Sequence, residues 1–95
     1  MENASIIDKG KRIKDIRQAL GLSLKRFALL CGVHENTCGF WEHNKTSPTL
    51  DAFDRFSTLG INALPYISGQ TEVRFIVPVE DAREMVARLL KKIEG

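Results

Sequence analysis

The stretch that most constrains this chain runs from Ser23 to Asn44, SLKRFALLCGVHENTCGFWEHN. Leu24, Phe27, Ala28 and Cys31 recur at intervals of three and four, the spacing of one buried helical face. Ser23 stands before them as a good N-cap. Gly32 follows at once and permits the left-handed turn that a tight corner between helices needs. A second helix is expected from about Glu35 to His43, burying Cys38, Trp41 and part of Glu42. Asn44 suits its exit, being second only to glycine in a left-handed cap. Phe40 is one residue from Trp41 and is therefore turned ~100° away from the buried stripe.

The flanking sequence supplies the rest of a small bundle. A first helix starts near Ser5 or Asp8 and ends before Gly21, with Ile6, Ile13, Ile16 and Leu20 on one stripe. Lys45-Thr46-Ser47-Pro48 is a loop. Thr49 caps a fourth helix, with Leu50, Phe53, Phe56 and Leu59 expected to be buried and Gly60 as its stop. Asn62 is expected to cap a short fifth helix ending near Gly69, with Pro65 tolerable in its first turn. After Gly69 the period changes. Residues 72–77 alternate as a strand, with Val73, Phe75 and Val77 on one face, and Pro78 stops it. Ala82, Met85, Val86, Leu89 and Ile93 then form an amphipathic helix. The expected class is mainly α: a five-helix bundle over residues 1–69, followed by a strand-helix tail over 70–95.

Composition limits the function classes. Of the 95 residues, 43% are hydrophobic and 27% charged, ordinary for a globular domain. No apolar run approaches a membrane span, and the polar beginning lacks the apolar core of a secretion signal, so a cytoplasmic location without membrane partners is expected. Cys31 and Cys38 are too few for a disulfide framework. The net charge is only +2, but Lys9, Lys11, Arg12, Lys14, Arg17, Lys25 and Arg26 crowd the first third of the chain. A basic face of this kind suits a polyanion, though a solvated helix surface would carry the same charges.

Two short helices around a glycine corner, inside a five-helix bundle, describe a helix-turn-helix. Here the sequence resembles the lambda-repressor/Cro-like, or XRE-type, transcriptional regulators over about residues 8–69. GKRIKDIR, GLSLKRFA, CGV, T.GFWEHNKTSP and LDAFDRFSTLGI carry the likeness, in order and spacing. The resemblance implies double-stranded DNA as the partner. It also implies an interior pair between Arg17 and Glu42, in which a planar guanidinium takes a carboxylate bidentately and fixes the reading helix.

Positions matching the family's backbone contacts are Ser23, Lys25, His34, Thr37, Lys45 and Thr46. Those matching base readout are Glu35, Asn36, Gly39 and Phe40. Asn36 can pair with adenine, Glu35 can accept from the cytosine amino group, and Phe40 can pack on a thymine methyl. The chain departs from the family in three places. Leu24 replaces a common glutamine, Phe40 stands where arginine, lysine or glutamine is usual, and Lys9 replaces an aliphatic residue.

Other chemistries fare worse. Cys31, His34, Cys38 and His43 are all zinc-ligand types. The two cysteines sit on buried stripes of different helices, however, and the histidines lie at opposite ends of one helix, so no tetrahedron forms and no metal or other cofactor is expected. The aspartates at 8, 15, 51 and 54 are explained by capping and helix dipoles. With no nucleophile-base set and no glycine-rich phosphate loop, an enzyme is not expected.

A lone strand cannot satisfy its own backbone groups. The tail strand is therefore expected to pair antiparallel with the same strand of a second subunit, the last helix covering the apolar face of that sheet, with Val73, Phe75 and Val77 against Met85, Val86 and Leu89. The alternative is a flap folded on its own bundle. The functional expectation is a homodimeric repressor on an inverted-repeat operator. Its rival is an antitoxin-type or adaptor protein that binds a protein partner, a reading that the apolar Leu24 and Phe40 motivate.

Overall fold

The computed structural model describes residues 8–62, 65, 67, 69 and 74–94. Its first four helices are α1 (Lys9–Ala19), α2 (Leu24–Cys31), α3 (Glu35–Glu42) and α4 (Leu50–Thr58). Two short strands follow, β1 (Ile61–Asn62) and β2 (Arg74–Phe75), and then a long helix α5 (Val79–Glu94). The mainly helical class expected from sequence is observed. Ser5, Ile6 and Val73 lie outside the described residues, as does much of the expected fifth helix. Within that stretch Pro65 and Ile67 are helical and Ile67 is buried.

The helix boundaries follow from capping. Asp8, Ser23 and Thr49 each accept a hydrogen bond from the backbone N–H three residues on. Those contacts satisfy donors that a helix start would leave open, each worth about 1 kcal/mol. At the corner Gly32 has φ +72°, and its N–H reaches back to the carbonyls of Ala28 and Leu29. Asn44 has φ +61°, the non-glycine left-handed residue anticipated at the exit of α3.

The core centres on Phe56. Phe27 stacks on it at 5.6 Å, while Trp41 and Phe53 meet it edge-on at 6.3 and 5.6 Å. Rings from α2, α3 and α4 thereby converge, burying enough apolar area to lock the corner. Around them Ile13, Ile16, Leu20, Ala28, Cys31, Cys38 and Ala52 are buried. Leu50 was expected in this core but is 86% exposed. It lies about 160° round α4 from Ala52, which with Phe56 and Leu59 marks the centre of the buried arc. Leu30 and Leu90 are buried although the stripes did not include them.

The tail also departs from expectation. The strand is realised at Arg74–Phe75 and pairs antiparallel with Ile61–Asn62 of the same chain, in the register Ile61 to Phe75 and Asn62 to Arg74. Asn62 is thus a strand residue, and the start of the helix it was expected to cap lies outside the described residues. Gly60, at φ +81°, turns the chain out of α4 so that Ile61 becomes the partner, and the Ile76 N–H donates to the Gly60 carbonyl at 2.8 Å. That local partner answers the backbone demand that had pointed to a second subunit.

Helix α5 then lies on the bundle. Ala82, Val86 and Leu90 join the same apolar cluster as α1, α2 and α4, with Phe75, Val77 and Leu89 partly buried against it. Arg83 Nε donates to the Ala19 carbonyl at 2.9 Å, and Arg26 lies 3.4 Å from Glu94. Val86 is therefore a residue of this chain's own core, and Met85 is half-buried.

Candidate nucleic-acid interface

Helix α3 is held from behind by two polar clamps. Arg17 Nε donates to Glu42 Oε2 at 2.7 Å and Nη2 donates to Oε1 at 3.2 Å, the side-by-side geometry of a bidentate pair. The third guanidinium nitrogen donates to the Leu22 carbonyl at 2.9 Å, so α1, the α1–α2 turn and α3 meet on one side chain. The two side chains keep only 14% and 5% of their exposure. In such surroundings each charge depends on the other, because a lone one would be stranded without solvent.

The second clamp was not read from sequence. Asn44 Oδ1 accepts from the Gly10 N–H at 2.9 Å, and its Nδ2 donates to Asp8 Oδ1 at 2.8 Å. Asp8 also caps α1 through the Lys11 N–H at 2.8 Å. The hydrogen bond from Asn44, then that from the Lys11 amide, hold the Asp8 carboxyl below its ordinary range. Gly10 permits this closeness. A Cβ there would lie 2.6 Å from the Trp41 carbonyl oxygen and nearer still to that of Glu42. A glycine in the first turn of a helix was the available signal, but its partner 34 residues away was not legible.

The outer face of α3 carries the expected readout set. Glu35, Asn36 and Phe40 are exposed, with Phe40 at 46%, and Gly39 is half-exposed. His34 caps the helix. Its Nδ1 accepts from the Asn36 N–H at 3.1 Å, which leaves Nε2 as the remaining donor. Thr37 is half-exposed, while Ser23, Lys25, Lys45 and Thr46 are exposed.

The start of α2 borders this face. A Cβ at position 39 would meet Leu24 Cδ2, at 3.7 Å. Leu24, Glu35, Asn36, Gly39, Phe40, His43 and Lys45 together line an open hollow of about 270 Å³. Four of those seven were expected at the reading face, and Lys45 beside it as a backbone contact. Leu24 was noted for its departure from the family, and His43 was not assigned to the face. The His43 ring bonds the Gly39 carbonyl at 3.0 Å through Nδ1.

Cys31 and Cys38 are buried free thiols. The hydrogen bond shared with Cys38 and burial push the Cys31 thiol far up, so it stays protonated and packs as a small hydrophobe. Among the described residues, no group of three or more His, Cys, Asp or Glu is arranged to hold a metal. No helix of the described residues is long and apolar enough to cross a membrane.

A recessed first helix of the pair and a second helix with one face free, at a glycine corner, define the class: a helix-turn-helix domain. The family model described as helix-turn-helix matches residues 13–59. Over that span the chain belongs to the XRE, or lambda-repressor-like, helix-turn-helix family, and it carries that family's DNA-binding domain. No curated protein and no solved structure was found to match the chain.

Proposed function

We propose that this chain is a sequence-specific transcriptional repressor that binds duplex DNA as a homodimer on an inverted repeat. Helix α3 enters the major groove. Glu35, Asn36, Gly39 and Phe40 face the base edges, while Ser23, Lys25, His34, Thr37, Lys45 and Thr46 grip the backbone on either side. One observation carries this reading: α3 is clamped from behind by Arg17 and Asn44 while its opposite face is exposed. Rigid support with a free face is what a reading helix requires. The homodimer contact is assigned to the part of α5 that the bundle leaves open, where Met85 is half-buried and Ile93, beyond the packed turns, is 51% exposed.

Selection of bound duplexes from a random pool tests the reading. Enrichment of an inverted repeat is expected, with affinity falling steeply as salt rises because phosphate contacts release counterions. Asn36→Ala should cost about 1–3 kcal/mol at one base pair and relax preference there. Absence of any enriched sequence at low salt would refute it. A second reading, an adaptor or antitoxin-type protein, is favoured by one feature: Phe40 and Leu24 give the exposed face an apolar hollow. A stoichiometric protein partner that covers Phe40 and excludes DNA would decide for it.

A further inference from the structure

The hollow on α3 has a chemical pattern more specific than a general DNA contact. Its lining joins the apolar Leu24 and Phe40, the bare backbone of Gly39, and the polar Glu35, Asn36, His43 and Lys45. Among the described residues, a Cβ at position 39 would have Leu24 as its one contact from another helix. On the major-groove edge of a pyrimidine, the C5 position lies beside the group at C4. Thymine presents a methyl at C5 next to an acceptor, O4; cytosine presents a donor amino group next to a bare C5–H. A carboxylate accepts from the amino group and repels O4. An apolar recess gains by covering a methyl and gains little from a C–H.

We propose that this hollow seats the 5-methyl group of a pyrimidine, and that Glu35 in its lining makes 5-methylcytosine the best fit. The inference rests on the DNA-reading assignment above. Leu24 in place of a polar residue and Phe40 in place of a cation then share one purpose. They line a methyl seat that the side chain missing at Gly39 leaves open. The protein thereby distinguishes methylated from unmethylated copies of one site.

The test uses the full chain and two random duplex pools, one made with ordinary cytosine and one with 5-methylcytosine throughout. Enriched duplexes are remade as pairs that differ by one methyl: cytosine against 5-methylcytosine, and thymine against uracil, position by position. The expected result is one cytosine per half-site at which methylation tightens binding by about 3–10-fold, the scale of one buried methyl. Phe40→Ala should bring that ratio close to one, and so should Gly39→Ala, which fills that space while favouring the helix. Retained helical content in both variants separates a lost seat from a lost fold. If only a thymine-to-uracil change weakens binding, the methyl seat stands and the role given to Glu35 is overturned. If the protein selects a sequence but no single methyl matters, the seat is refuted and the DNA-reading assignment survives. If neither pool yields a bound duplex, both fall together.

Discussion

Two glycines in the same bundle should respond to the same substitution in opposite directions. At Gly10 a methyl would lie 2.6 Å from the Trp41 carbonyl oxygen and closer to that of Glu42. Both are backbone atoms at the end of α3, so neither can swing aside. Relief requires α1 to retreat by most of an ångström. That stretches the 2.9 Å bond from Gly10 to Asn44 and the 2.7 Å bond from Arg17 to Glu42. Overpacking of this kind costs about 1–3 kcal/mol, and a weakened hydrogen bond adds ~1 kcal/mol. The helix gains at most about 1 kcal/mol from alanine over glycine. Gly10→Ala should therefore lose roughly 1–3 kcal/mol, and melting should fall by about 5–20 °C for a domain this size. At Gly39 the one contact from another helix among the described residues is Leu24 Cδ2 at 3.7 Å, an ordinary distance, so the helix gain survives. Gly39→Ala should raise melting by about 3–6 °C. Thermal unfolding followed by circular dichroism measures both. If Gly10→Ala melts at or above the wild type, the close approach of α1 to α3 is wrong.

Three further outcomes are expected. Glu42→Ala strands the Arg17 guanidinium at 14% exposure and should destabilise by about 3 kcal/mol in denaturant unfolding, whereas Arg17→Met with Glu42→Leu should cost much less than the two single losses together. Additive losses would show that the pair is not coupled. Asp8 has its carboxyl pK lowered on folding, so its stabilising share is complete above the ordinary value of 3.8 and is lost as pH falls through the lower folded value. Asp8→Ala should therefore be less stable than the wild type near neutral pH, with the gap closing in strong acid, as unfolding curves across that range would reveal. Cys31 and Cys38 are buried, and the Cys31 thiol is held protonated, so alkylation by iodoacetamide should proceed only as fast as the protein unfolds. Rapid labelling under native conditions would contradict that packing.

How far the sequence reaches is set by the range of the physics. Caps and corners are local: Ser23, Gly32, Asn44 and Thr49 act within a few residues of themselves, and all four behave as their types suggest. Helical stripes are nearly as local, yet Leu50 shows their weakness. Intervals of three from Leu50 to Phe53, Phe56 and Leu59 drift round the helix, so the first member leaves the buried arc that Ala52 shares. The strand in the tail was legible as a strand because alternation is a local pattern. Its partner was not, because a two-residue strand at Ile61–Asn62 carries no period.

The interface divides along the same line. Which residues of α3 face outward follows from a 100° step beside Trp41, and the exposed Phe40 agrees. What that face looks like depends on a neighbour 15 positions earlier. Leu24 closes one side of the hollow only because the glycine corner brings the start of α2 against the middle of α3, where Gly39 offers no side chain. Taken singly, Leu24 is an apolar replacement and Phe40 a missing cation, each a reason to doubt a DNA reader, and Gly39 is a weak helix former. Placed together they make one recess, lined also by Glu35, Asn36, His43 and Lys45. The clamps at Arg17 and Asn44 hold the back of α3 without using any of these residues. The front can therefore change its preference while the support stays constant, so the two departures at the reading face, Leu24 and Phe40, are compatible with an unaltered scaffold.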